Sequence, residues 1–333
     1  VLPWILLHVI VQPAIPDRPG GESLAKLAAI YSGLVFGIYW IPLRALDAAG
    51  FPGIWATAMF ALLAAILSLP LLCWRYQRFV RGSPRFHIIC IGTGLGFTFY
   101  ATAFVYTGVI SVIVLFYLMP IWGFVFARIF IGDRITTVRW AAMIVAISGL
   151  LTILGEPSTT SEANIFSDKL VLVASLAPNN VGDWMALTAG IMWAGIALMI
   201  LTEDHSSSID LALGFLVWGA VFSLGFAWLA SILGYEPMPD ISRLIHELNW
   251  LLPFALFVII PAALATVYGP SKLNPGIVGL FFMAEISVAT ATAAIWADEP
   301  FGPRHLLGVT LITFAGILET IWLWFRKSSA KLN

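Results

Sequence analysis

Glu285 is placed where a charge is least tolerated: well inside the apolar run 277–296, where an unpaired carboxylate costs several kcal/mol. It must be protonated, hydrogen-bonded or turned toward a cavity. Two readings follow, a group that handles a solute or a proton and a structural hydrogen-bond partner between helices. Aromatic side chains lie at depth in the same kind of run: Phe36, Tyr39 and Trp40, then Phe99 and Tyr100, Tyr117, Trp193 and Phe282. A pore for inorganic ions is expected to show repeated acidic, carbonyl or amide rings. These residues instead suit a solute with apolar and aromatic surface, stacked by rings and fixed by a few hydroxyls or carbonyls. Plain packing competes with cavity lining for each ring, and Trp193, Tyr100 and Tyr117 are the foremost wall candidates. Glu319 lies closer to the basic end of the chain, where it can snorkel or pair with Arg326.

Other chemistry is excluded by spacing. No pair of histidines or carboxylates has hydrolase or metal-site spacing, so no enzyme, cofactor or metal centre is expected. The run Gly92-Thr93-Gly94-Leu95-Gly96 looks like a phosphate loop but lies inside an apolar span, not at a strand-to-helix turn. A formal net charge of −1 gives no reason to invoke nucleic acid. Cys73 and Cys90 fall near one proposed membrane face and read as buried free thiols.

The elements that must hold these residues are membrane helices. The chain is 60% hydrophobic and 11% charged over 333 residues, with mean hydropathy +0.94, far more apolar surface than a soluble core can hide. Its continuous runs approach the roughly 20 residues that cross hydrocarbon, whereas a barrel would alternate in short strands. Spans are expected near 25–45, 53–73, 87–107, 110–130 and 138–154, then 184–202, 210–233, 251–270, 276–297 and 305–325. With a cytoplasmic N-terminus, thirteen of the seventeen Lys and Arg residues fall inside. Only Arg44, Lys169, Arg243 and Arg304 fall outside, the bias that sets orientation.

Ten spans therefore place both ends in the cytoplasm, and five per half turn the second half over relative to the first. The layout of 121–154 around Gly132-Asp133-Arg134 recurs about 166 positions later, in 287–322 around Asp298-Glu299-Pro300. On that shift Met119 stands near the counterpart of Glu285. Small residues at Gly33, Gly37, Gly190 and Ala194, with Gly92 and Gly96, mark close helix seams. Pro42, Pro120 and Pro261 read as hinges, freeing the carbonyls of Ile38, Phe116 and Phe257. The chain divides into an extramembrane or interfacial segment 1–23, a first five-helix repeat 24–155 and a periplasmic linker 156–183. A second repeat 184–325 and a cytoplasmic tail 326–333 follow. The first residues carry neither a basic leader nor a small-residue cleavage site.

These halves resemble the drug/metabolite transporter superfamily, in particular its ten-span EamA group. The resemblance covers nearly all of 24–325. It is carried by Leu118-Met119-Pro120, Gly132-Asp133-Arg134 and the span 142–149. In the second half it is carried by Gly279-Leu280-Phe281-Phe282-Met283-Ala284-Glu285 and Ala297-Asp298-Glu299-Pro300-Phe301-Gly302. Within the group the chain most resembles the YddG-type aromatic amino-acid exporters. The family's tryptophan in the first span of each half is matched by Phe36 and Trp193, and its following arginine by Arg44. Phe36 departs from the pattern, as does Asp133, which replaces the usual glutamate.

The resemblance implies a secondary transporter of the bacterial inner membrane that exports aromatic and other large neutral amino acids by alternating access, with proton coupling possible. Another small metabolite, moved in either direction, and a passive facilitator or channel remain the alternatives. The partners implied are a small-molecule substrate and the lipid bilayer, with monomer and weak dimer both open.

Overall fold

In hydrocarbon each backbone N–H and C=O must be satisfied within its own segment, so long apolar runs fold as helices. The computed structural model describes residues 21–107, 109–132, 136–154, 178–203, 205–296 and 302–329, and its regular structure there is helical throughout. The expectations on 1–20, Gly108, Asp133-Arg134, most of the linker, Asp298-Glu299-Pro300-Phe301 and the last four residues lie outside the described residues. So does the Glu319 side chain.

The first half begins with α1 (Glu22–Gly37), a two-residue turn, and α2 (Trp40–Ala48). Next come α3 (Ile54–Val80), α4 (Pro84–Tyr106), α5 (Val109–Phe116) and α6 (Met119–Phe126), which runs into a π-helical turn at Ala127–Ile131. After them lies α7 (Thr137–Leu154). The second half holds α8 (Val181–Leu201), α9 (Ser208–Ile232) and α10 (Leu244–Phe254). A π-helical turn at Ala255–Ile259 leads into α11 (Ile260–Tyr268), followed by α12 (Pro275–Phe282), α13 (Ala284–Trp296) and α14 (Pro303–Ser329). Local chemistry starts several of them: Ser83, Asn180, Ser207 and Asn274 each accept a backbone N–H of the first turn through the side chain.

Among the described residues, seven helical stretches are long and apolar enough to cross a membrane: Glu22–Ala48, Ile54–Val80, Pro84–Phe104, Val181–Leu201, Ser208–Ile232, Leu244–Tyr268 and Pro275–Thr292. Three shorter apolar helices, Met119–Ile131, Thr137–Thr152 and Leu306–Ala315, accompany them. The chain is an all-α, multi-pass membrane protein.

Packing is reciprocal between the halves. Helix α1 lies against α11, α12 and α13, and α8 lies against α4, α5 and α6. Helices α3 and α9 pack on each other, as do α7 and α14. The helix break at Tyr117 and Leu118 has its counterpart at Met283, and each break faces a small residue. A Cβ added to Gly190 would sit 2.6 Å from the Phe116 carbonyl oxygen, and one added to Gly33 would sit 3.0 Å from that of Phe282. Gly37 is tighter still against α13, 2.7 Å from Val288 Cβ, and Ala194 is fully buried.

The three prolines read as hinges stand at helix starts or beside irregular turns. Pro120 opens α6 after the Tyr117–Leu118 break, and Pro261 opens α11 after the π-helical turn, where an altered register accommodates the missing N–H. Pro42 lies in α2 just after the turn that ends α1, but the Ile38 carbonyl is not freed: it accepts the Ile41 N–H at 3.1 Å. The thiols also correct the sequence reading. Cys90 is buried between α4 and α9, whereas Cys73 is exposed. A helix side that faces lipid is as apolar as one that faces protein, so hydropathy did not separate the two.

Candidate functional site

At the centre of the helices, Glu285 in the first turn of α13 is 5% exposed and accepts two phenol hydroxyls. Tyr100 of α4 donates to Oε1, and Tyr117 donates to Oε2 at 2.5 Å. The Tyr117 hydroxyl also lies 3.0 Å from the Phe282 carbonyl oxygen. Thus α4 and the α5–α6 break converge on one carboxylate supplied by the second half. Such convergence stabilises a buried acid, because both oxygens find donors that offset lost hydration.

One small cavity adjoins this carboxylate, and a second lies next to the first. The first is lined by Ser32, Phe36, Phe97, Tyr100, Trp193 and Glu285, among others, with a volume of about 30 Å³. The other, about 20 Å³, lies against Tyr39, Phe60 and Phe215, and Phe36 and Phe97 belong to the walls of both. Each has room for about one water molecule. Admitting a ring therefore requires neighbouring helices to part. Ser32 and Thr266 face each other across the first cavity at 2.5 Å. Thr266 is committed to the Ala262 carbonyl at 2.7 Å, so Ser32 is the donor to Thr266 Oγ1.

Of the residues singled out in the sequence, Phe36, Tyr100, Trp193, Phe282 and Glu285 share one cavity, and Tyr39 lines the other. Tyr117 is 2% exposed and acts behind the wall by holding Glu285. Trp40 lies apart from both cavities. It donates from Nε1 to Thr292 Oγ1 at 3.1 Å and carries the Arg44 guanidinium over its ring at 4.7 Å. Phe99 is not in either wall; it stacks on Phe226 at 5.8 Å. Sequence reading missed Ser32, Phe97, Phe116, Phe215 and Thr266. Only Ser32 had a signal, a hydroxyl next to the small-residue seam at Gly33.

The two ends of the helices differ. At the end bearing Arg44, Trp40, Arg44, Asp47, Thr57, Phe104 and Glu236 surround a vestibule of about 390 Å³ with Leu43 and Pro52. Glu236, 9% exposed, accepts the Ile54 N–H at 3.4 Å. Burial, with a smaller contribution from the Asp47 carboxylate, holds its carboxyl above the usual range, although the Ile54 N–H pulls the other way.

At the opposite end two ion pairs tie the helices together, beside a surface recess of about 480 Å³ bordered by Arg78, Arg81, His205 and Asp210. Arg75 of α3 binds Asp210 of α9 through Nε at 2.5 Å and Nη2 at 2.8 Å, and reaches Ser207 at 2.9 Å. Arg85 of α4 pairs with Glu203 at 3.6 Å and donates to Thr202 and, at 3.1 Å, to the Met199 carbonyl. Beneath these pairs sits an apolar plug that includes Phe86, Ile89, Cys90, Ile200, Leu211 and Val267. Glu203, which the sequence did not single out, is the partner of Arg85.

These ties give a measurable expectation. In a Cys73→Ser background, Cys90 reports opening of this end, because its thiol is buried under the pairs. A charge-assisted bidentate pair is worth about 1.5–3 kcal/mol. Asp210→Asn is therefore expected to raise Cys90 alkylation by a membrane-permeant maleimide about tenfold or more. An unchanged rate means the plug alone holds the end closed.

Residues 23–155 match the EamA-like transporter family. A comparison with curated proteins gives no match. Among solved structures, one titled only as the crystal structure of a protein superposes with a TM-score of 0.65 at 15% identity, over 90% of this chain and 97% of that one. At that identity the likeness concerns the fold alone. Over residues 23–155 the chain is similar to the EamA-like transporter family, and its helical, multi-pass fold accords with that likeness.

Proposed function

We propose that the chain is a secondary transporter that exports amino acids, aromatic and other large neutral ones, by alternating access between two inverted five-helix halves. The observation that carries this reading is the unequal state of the two ends around one buried carboxylate. Glu285 and its aromatic walls lie between an open vestibule at Arg44 and an end tied by Arg75–Asp210 and Arg85–Glu203. A carrier poised toward one side has this form, whereas a channel would need a continuous wet path. The reciprocal packing of α1 and α8, and the matched breaks at Tyr117 and Met283, support the inverted-repeat reading.

With both termini in the cytoplasm of a bacterial inner membrane, the tied end is cytoplasmic and the vestibule periplasmic, as the Lys and Arg bias favours. In this reading the substrate ring enters among Phe36, Phe97 and Trp193, and Glu285 meets its polar end. Proton coupling then falls to Glu285 as well. Gly33, Gly37, Gly190 and Ala194 are the seams on which the halves rock, and the breaks beside Pro42, Pro120 and Pro261 are where the helices bend.

Counterflow in vesicles of purified protein, challenged with aromatic, aliphatic and sugar-phosphate solutes, tests the reading. Competition by tryptophan and phenylalanine supports it; failure of every amino acid with clear flux of another metabolite removes the substrate and retains the carrier. Within that assay Trp193→Ala is expected to impair large aromatic solutes more than small ones. Equal losses across a size series mean packing damage instead. Trp193 also meets Phe215 edge to face at 5.9 Å, so Trp193→Phe separates loss of the ring from loss of its size.

A further inference from the structure

Two buried polar atoms at the vestibule have no partner among the described residues: Glu236 Oε2 and Thr57 Oγ1. A buried acceptor left unsatisfied is unfavourable by about 1–3 kcal/mol, more when it is charged. Natural interiors rarely keep such atoms without a ligand or water to meet them. Glu236 is more than nine-tenths buried, and both residues border the same vestibule, a space large enough for a small organic molecule that their side chains reach by a change of rotamer. The remaining wall supplies complementary chemistry. The exposed Arg44 guanidinium stacks on Trp40 and makes no ion pair among the described residues, while Trp40 and Phe104 offer apolar faces.

From this geometry we infer that the vestibule is a second binding station for a zwitterionic α-amino acid, with the ammonium on Glu236 and Thr57 and the carboxylate on Arg44. The side chain lies along Trp40 and Phe104. Three ammonium protons suit a carboxylate oxygen and a hydroxyl that both lack donors, and a planar guanidinium suits a carboxylate. An inorganic cation would leave Arg44 opposing it, and an anion would meet Glu236 and Asp47. The site is distinct from the Glu285 centre. It rests on the amino-acid reading above and adds a release station to it.

The test uses purified protein in lipid nanodiscs, in a Glu285→Gln background that disables the central site, with binding followed by calorimetry. The probes are phenylalanine, phenethylamine, which lacks the carboxylate, and 3-phenylpropanoate, which lacks the ammonium. Glu236→Gln keeps an oxygen for the Ile54 N–H and is expected to weaken phenylalanine and phenethylamine about tenfold while leaving 3-phenylpropanoate unchanged. Arg44→Gln is expected to weaken phenylalanine and 3-phenylpropanoate and to spare phenethylamine.

Equal binding of all three probes by both variants, or no binding in the Glu285→Gln background, overturns the station even where wild-type counterflow of phenylalanine is intact. Charge-selective binding with no amino-acid counterflow in the wild type upholds the station and removes the transport reading.

Discussion

Glu285→Ala is expected to lose transport and to lower the melting temperature, whereas Glu285→Gln is expected to lose transport while folding. The two separate because of what each leaves behind. Alanine removes the acceptor of the Tyr100 hydroxyl outright, while Tyr117 retains the Phe282 carbonyl. One buried hydroxyl without an acceptor costs about 1–3 kcal/mol, and the lost carboxylate volume adds a cavity term. Glutamine keeps the shape and one carbonyl oxygen, and its amide can donate to a phenol oxygen, so the fold loses about 1 kcal/mol or less.

Transport is different. If the carboxylate meets a substrate ammonium or exchanges a proton with Tyr100 and Tyr117 around it, the charge itself is required. A charge-assisted hydrogen bond of about 1.5–3 kcal/mol then corresponds to a loss of about 10- to 150-fold. Uptake or efflux over a pH series, on protein shown to be folded, reads both consequences. Unchanged rate and unchanged pH response in Glu285→Gln would reduce the acid to a helix tie.

The second large effect is expected at Gly190. A methyl there meets the Phe116 carbonyl oxygen at 2.6 Å, and that atom belongs to backbone at a helix break, not to the end of a flexible side chain. Helix α8 must move away from α5. In lipid that separation gives up close van der Waals packing, the main force that joins such helices. Gly190→Ala is expected to destabilise by about 1–3 kcal/mol and Gly190→Val by more. Gly33→Ala is expected to act in the same direction with a smaller effect, since its nearest atom is 3.0 Å away.

Gly225 supplies the control. Nothing lies within 4 Å of its added Cβ, and its exposed helical position should accept alanine with a gain of about 0.5–1 kcal/mol. Thermal unfolding in matched detergent or nanodiscs measures all three positions. Equal stability of Gly190→Ala and Gly225→Ala means that the seam between α8 and α5 yields without strain.

Much of the scaffold was legible. Apolar length indicated where the helices run, because backbone hydrogen bonding in hydrocarbon leaves little choice but a helix, although the helix ends at Val80 and Leu244 lie well outside the expected spans. Spacing of small residues pointed to Gly33 and Gly190, although not to the carbonyls they face. Glu285 stood out because a carboxylate in an apolar run is rare and must be explained.

Faces were not legible. Helix α4 is apolar on all sides, so its periodicity left Phe99, which stacks on Phe226, among the candidates beside Tyr100, which holds Glu285. A soluble helix reveals its inner face by the polar residues on its outer one; a helix surrounded by lipid has no such contrast. The same loss of contrast explains the exposed Cys73. Glu203 and Glu236 were overlooked for another reason. They sit in short polar connections, where acidic residues are ordinary until a partner, or the lack of one, is seen.

By itself the sequence determined that this protein lives in a membrane, roughly where its helices run, and that one buried acid requires an explanation. Those properties follow from hydration and backbone hydrogen bonding, which act locally along the chain. Tertiary structure alone decided that Tyr100 and Tyr117, 185 and 168 positions away, converge on Glu285, and that Arg75 pairs with Asp210 at one end while Glu236 borders a vestibule at the other. Partners so distant in sequence are chosen by how helices of uniform polarity pack, and that choice rests on shape and a few hydrogen bonds that no local pattern records.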